Sequence, residues 1–101
     1  MKTVDLTPFA IVLAPATGTT PAQTQPYPVK DALINVLFGQ PGLKAREILR
    51  RDDIARKILA ADGPDLALED AEYDQLKQAF EVAEGFGRND VELVRRVLTA
   101  Q

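Results

Sequence analysis

A chain of 101 residues has room for one domain and a modest core, and with 46% apolar and 27% charged residues it has the composition of a folded protein rather than a disordered one. Cys, His and Ser are absent, which excludes disulfides, thiolate and serine nucleophiles, most zinc sites and the commonest general base. The formal net charge of −3 is too mild, and of the wrong sign, to draw the chain as a whole to nucleic acid or an anionic membrane.

Residues 2–13 read as a strand or a broken strand pair. Val4 and Leu6 alternate with Asp5 and Thr7, Pro8 interrupts, and Phe9 to Leu13 is continuously apolar. A hairpin would fit here, although no clear turn pair is present. Residues 14–26 carry no charge and are dominated by Pro, Thr, Gln and Gly. Such a segment buries too little apolar area to offset its ordering cost, so it is expected to be a flexible loop.

The next elements follow the 3.6-residue period. A first helix is predicted over 28–38, with Pro28 at its first position and Val29, Ala32, Leu33, Val36 and Leu37 on one face; Gly39 ends it. A second helix is predicted over 43–61, with a stripe of Ile48, Leu49, Ala55, Ile58 and Leu59, and with Gly63 suited to a left-handed cap after it. Leu66 to Leu68 reads as a short extended segment that pairs with the N-terminal strand. A third helix over 70–84 starts with Asp70 as N-cap, buries Tyr73, Leu76, Phe80 and Ala83, and is capped by Gly85. A last helix over 89–100 starts with an Asn89/Glu92 capping pair and buries Leu93, Val94, Val97 and Leu98. The fold class is therefore α+β: a single, mostly helical domain over 1–101, with about four helices and a small N-terminal β element. The predicted core is Leu33, Val36, Leu37, Ile48, Ile58, Leu76, Phe80, Leu93 and Val97.

Three groups of residues are candidates for chemistry. Asp62, Asp65, Glu69, Asp70, Glu72 and Asp74 form a dense acidic set, but their spacing is not that of a calcium loop, and helix capping accounts for them better. Gly85-Phe86-Gly87 follows a helix rather than a strand, so it lacks the context of a phosphate cradle. The second helix carries Lys44, Arg46, Arg50, Arg51, Arg56 and Lys57 against Glu47, Asp52 and Asp53, a local basic excess in an acidic chain. Arg46, Arg50 and Arg51 are the candidate partner-binding residues. Their alternative is an ordinary solvated face, with Glu47–Arg51 attraction offsetting Arg46–Arg50 repulsion. No catalytic, cofactor-binding or metal-ligating residue stands out, and no enzyme activity is expected. A helix-turn-helix is disfavoured, because the segment after the second helix is too long and the third helix begins with acids that would repel phosphates.

The stretches Tyr27 to Leu37, Leu66 to Lys77 and Asn89 to Leu98, in that order, resemble small proteins encoded by tailed bacteriophages and prophages. The resemblance covers roughly 27–100. It implies a phage or prophage origin and a role in virion morphogenesis or host takeover, and it transfers no functional residue. The function expected is a non-enzymatic protein–protein interaction module whose partner is another phage or host protein. The alternative is a small nucleic-acid-binding regulator using the second helix. Asp5, Pro8 and Pro15 do not suit a signal peptide, and a cytoplasmic location with no membrane contact is expected.

Overall fold

The computed structural model describes residues 1–14 and 16–101, with the side chains of Leu13 and Ala14 left aside. Its elements in chain order are β1 (Lys2–Asp5), β2 (Ala10–Ala14), β3 (Gln23–Pro26), α1 (Val29–Phe38), α2 (Ala45–Ala60), β4 (Asp65–Leu68), α3 (Asp70–Val82), a 3₁₀ turn (Arg88–Asp90) and α4 (Val91–Leu98). This is the α+β architecture expected, with its four helices within two or three residues of their predicted ends.

β1 and β4 pair antiparallel, with Val4 opposite Leu66 and Lys2 opposite Leu68. Alternation sends Val4, Leu66 and Leu68 to one face, and all three are buried. The helices cover that face. Leu33 and Leu37 of α1, Ile54 and Ile58 of α2, Leu76 and Phe80 of α3, and Leu93 and Val97 of α4 close a single apolar core. The outer edge of β1 is tied to the C-terminus, because Thr3 donates its N–H to the Gln101 carbonyl at 2.9 Å. Tyr73 joins α3 to α4 by donating its hydroxyl to the Val97 carbonyl at 2.6 Å.

β2 and β3 form a separate antiparallel hairpin that is not hydrogen-bonded to the β1–β4 pair. The last four residues of the segment expected to be a flexible loop, 14–26, thus form a strand; Pro15, also within it, lies outside the described residues. In Gln23-Thr24-Gln25 only Thr24 favours a strand and no residue is buried, so backbone pairing with β2 carries the element. Tyr27 donates its N–H to the Phe9 carbonyl at 2.8 Å. By the alternation of an antiparallel ladder, the next pair, Ala10 and Pro26, turns its donors outward, so the proline's missing N–H costs the ladder nothing. The hairpin projects from the body. The Cα radius of gyration is 15.1 Å and the long axis 53 Å, whereas a compact chain of 100 residues has a radius of about 13 Å.

At the base of this arm, Phe9 and Tyr27 stack with ring centroids 4.8 Å apart. The Arg96 guanidinium lies over the Phe9 ring at 4.8 Å and donates to the Asp5 and Thr7 carbonyls at 3.2 and 2.7 Å. Tyr27 in turn donates its hydroxyl to Asp90 Oδ1 at 2.6 Å. Arg96 lies in α4 and Asp90 immediately before it, so one short helix clamps the arm from both sides.

Several local expectations are corrected. Glu69, not Asp70, is the N-cap of α3, and its N–H is taken by Glu72 Oε1 at 2.9 Å. Asn89 is not a cap; it lies in the 3₁₀ turn, and Asp90 reaches back to accept the Gly87 N–H at 2.7 Å. Ala83 ends α3, and Ala61 ends α2 in an extended conformation, so Gly63 is not in a left-handed cap. The positive-φ glycines are Gly42 (φ 79°) and Gly85 (φ 90°).

Candidate interaction surfaces

α2 is rotated relative to its predicted face. Arg51, Ile54, Ala55 and Ile58 point inward, while Leu49 is 65% and Leu59 63% exposed. Ile48, assigned to the core by sequence, is exposed. The three candidate arginines are therefore not one surface. Arg51 is 1% exposed and turned into the protein. Its Nη1 donates to the Leu37 carbonyl at 2.7 Å and its Nη2 to Gln40 Oε1 at 3.1 Å. The cation thus sits on a last-turn carbonyl of α1, where the helix dipole favours positive charge, and ties it to Gln40 in the turn between α1 and α2. Arg51 Nε is buried with no hydrogen-bond partner among the described residues. A buried residue with its fork already committed is no docking contact, so Arg51 leaves the candidate set.

Arg46 and Arg50 remain on the surface. Among the described residues, no carboxylate lies within ion-pair distance of either. Glu47 does not supply the predicted attraction to Arg51, because Arg51 has turned inward. The other cations of α2 are engaged: Arg56 pairs with Asp52 at 2.9 Å, and Lys57 with Glu72 at 2.6 Å. Helical spacing puts exposed Leu49 one turn from Arg46, with Arg46 and Arg50 together on one side of it, so the outer face of α2 presents an apolar side chain next to two guanidinium groups that make no ion pair among the described residues. Burial alone would raise the Glu72 carboxyl, but the hydrogen bond from Lys57, the Glu69 N–H and the Lys57 charge hold it below its ordinary value.

A second feature was not legible in the sequence. A cleft of about 680 Å³ opens between α1, the end of α3 and the start of α4, lined by Ala32, Val36, Val82, Phe86 and Leu93, with Glu84 and Asp90 contributing charge. Phe86 forms one wall by stacking on Phe80, with centroids 5.6 Å apart, after the turn at Gly85. Tyr27 lines the cleft as a proton donor; burial, then its hydrogen bond to Asp90 and the charge of that carboxylate, push the phenol far above its ordinary value. The cleft depends on where the α3–α4 connection folds, and no local spacing rule encodes that. A Phe between two glycines was the one available hint.

The acidic set does not assemble into a site. Asp70 pairs with the N-terminal ammonium at 2.9 Å and Glu72 with Lys57, and Asp65 lies in β4. Among the described residues, no three acids are grouped so as to hold a metal ion. No helix among them is long and apolar enough to cross a membrane. No protein-family model, curated protein or solved structure matches the chain.

Proposed function

We propose that the chain is a non-enzymatic protein–protein interaction module that docks an acidic partner on the outer face of α2. The observation that carries this reading is the trio Arg46, Leu49 and Arg50. Two cations one helical turn apart repel each other, and among the described residues no carboxylate lies within ion-pair distance of either. An exposed leucine beside them adds apolar contact area for docking. A carboxylate-bearing partner would relieve the repulsion and cover the leucine. The acids of neighbouring α3, with Glu72 reaching Lys57, weigh against a nucleic-acid backbone as the ligand. The resemblance of 27–100 to small tailed-phage proteins supports seeking the partner among virion components and host factors.

The test is a pull-down with wild-type protein and with the Arg46→Glu/Arg50→Glu variant, at low and high salt. Both side chains are exposed, so the variant is expected to keep the wild-type melting temperature. It is expected to lose the partner that wild type retains at low salt. Equal recovery of the same partners by both proteins would overturn the reading. Salt-sensitive retardation of duplex DNA by wild type alone would replace it with a nucleic-acid role.

A further inference from the structure

We infer that this α2 face docks into the apolar cleft of a second copy of the chain, giving a head-to-tail assembly. The inference rests on the reading of α2 as a docking face and names one occupant for it. The two surfaces are complementary in charge. One presents an exposed leucine beside two cations that make no ion pair among the described residues; the other is a concavity lined by Val36, Val82, Phe86 and Leu93 and bearing Glu84 and Asp90. The charges at the contact are available for it: Glu84 and Asp90 line the cleft, and neither Arg46 nor Arg50 has a carboxylate within ion-pair distance among the described residues. One chain thus carries both halves of an electrostatic pair.

The surfaces also face apart, as head-to-tail docking requires. Lys30 of α1 reaches the Ala61 carbonyl at the end of α2 at 2.7 Å, so that flank of α1 faces α2. Ala32 and Val36, which line the cleft, follow Lys30 by two and six residues and so lie on the opposite flank. A chain cannot place its own Leu49 in its own cleft, and the contact must be made between copies. Such a contact joins unlike patches, so it either closes into a ring or extends as a filament.

Sedimentation velocity of the full chain over a concentration series tests this. Wild type is expected to rise above the monomer mass of 11.0 kDa with concentration at low salt and to return to it at high salt. Arg46→Glu/Arg50→Glu carries a reversed α2 face, and Val82→Lys/Glu84→Lys a reversed cleft at two exposed positions. Each alone is expected to stay monomeric while keeping the wild-type melting temperature. Mixed in equal amounts, they are expected to associate, because each supplies the surface the other's altered one now matches. A wild-type chain that stays monomeric at every concentration, or variants that associate as wild type does, would overturn the inference. In that event, a pull-down still dependent on Arg46 and Arg50 would leave the module reading standing, with a different acidic partner; loss of both results would end both.

Discussion

The helical body and the β2–β3 arm are built from opposite materials. The body draws on long apolar side chains from all four helices, and Leu33, Leu37, Ile58, Leu76, Leu93 and Val97 are fully enclosed. The arm has no charged residue from Leu6 to Val29, and in β3 every residue is exposed. Two strands alone are marginal in water, so the arm's order depends on its backbone ladder and on the clamp formed by Arg96, Phe9, Tyr27 and Asp90. Burial stabilises one region and attachment the other. Stability should therefore respond to mutation in the body and be nearly indifferent to mutation beyond the clamp.

The strongest way to break that contrast is truncation at matched chemistry. Leu76→Ala removes a fully enclosed side chain and is expected to cost about 2–5 kcal/mol in urea unfolding. Val12→Ala on the exposed arm is expected to stay within about 0.5 kcal/mol of wild type. Equal losses at the two positions would mean that arm and body fold as one unit.

Arg51 sharpens the comparison from inside the body. Arg51→Ala leaves the buried Leu37 carbonyl without its donor, and an unpaired buried group of that kind costs about 1–3 kcal/mol, with lost packing of the stem in addition. Arg51→Met restores the packing but not the hydrogen bonds and is expected to fall between alanine and wild type. A melting curve unchanged by Arg51→Ala would show that the cation contributes nothing to the α1–α2 turn.

The smallest effect expected is from acid. Glu72 has a folded pKa below its ordinary 4.5, so its ion pair with Lys57 is fully stabilising above that value and is lost as pH falls through the lower folded one. Stability measured from pH 6 to pH 3 should decline at the acid end, and Glu72→Gln should flatten part of the decline. The arm contains no carboxylate, so its NMR shifts beyond Phe9 should hold over the same range while those of α2 and α3 move. A Glu72→Gln curve as steep as wild type would assign the acid sensitivity to other carboxylates, such as Asp5, held below its ordinary value by hydrogen bonds from Thr7.

The sequence was most legible where one local rule decided the outcome. The period of Leu33/Leu37, Leu76/Phe80 and Leu93/Val97 identified three helix faces correctly, and Leu66–Leu68 was recognised as the partner of the first strand. α2 misled because Ile48, Leu49 and Leu59 form an apolar stripe that the fold leaves exposed, and the inward position beside it is filled by an arginine. Nothing near Arg51 in the chain announces that it would find the Leu37 carbonyl and Gln40, since those partners appear only once α1 and α2 are packed. Arg46 and Arg50 are exposed, as their charge alone implies, because placing charge on a solvated helix face needs no tertiary information. The cleft was illegible for the same reason as Arg51: it is a relation among three helices.

The hydrogen bond from Tyr27 to Phe9 has one further consequence. Residues 10–26 leave the body and return to it side by side, so the body experiences them as little more than a closed joint. Lengthening a closed loop is inexpensive, about 0.6 kcal/mol for each doubling. Natural variation can therefore extend, shorten or replace the whole insertion while leaving the scaffold's own folding almost untouched. Relatives of this chain that differ most would be expected to differ there first, with the aromatic pair at the joint kept as the suture.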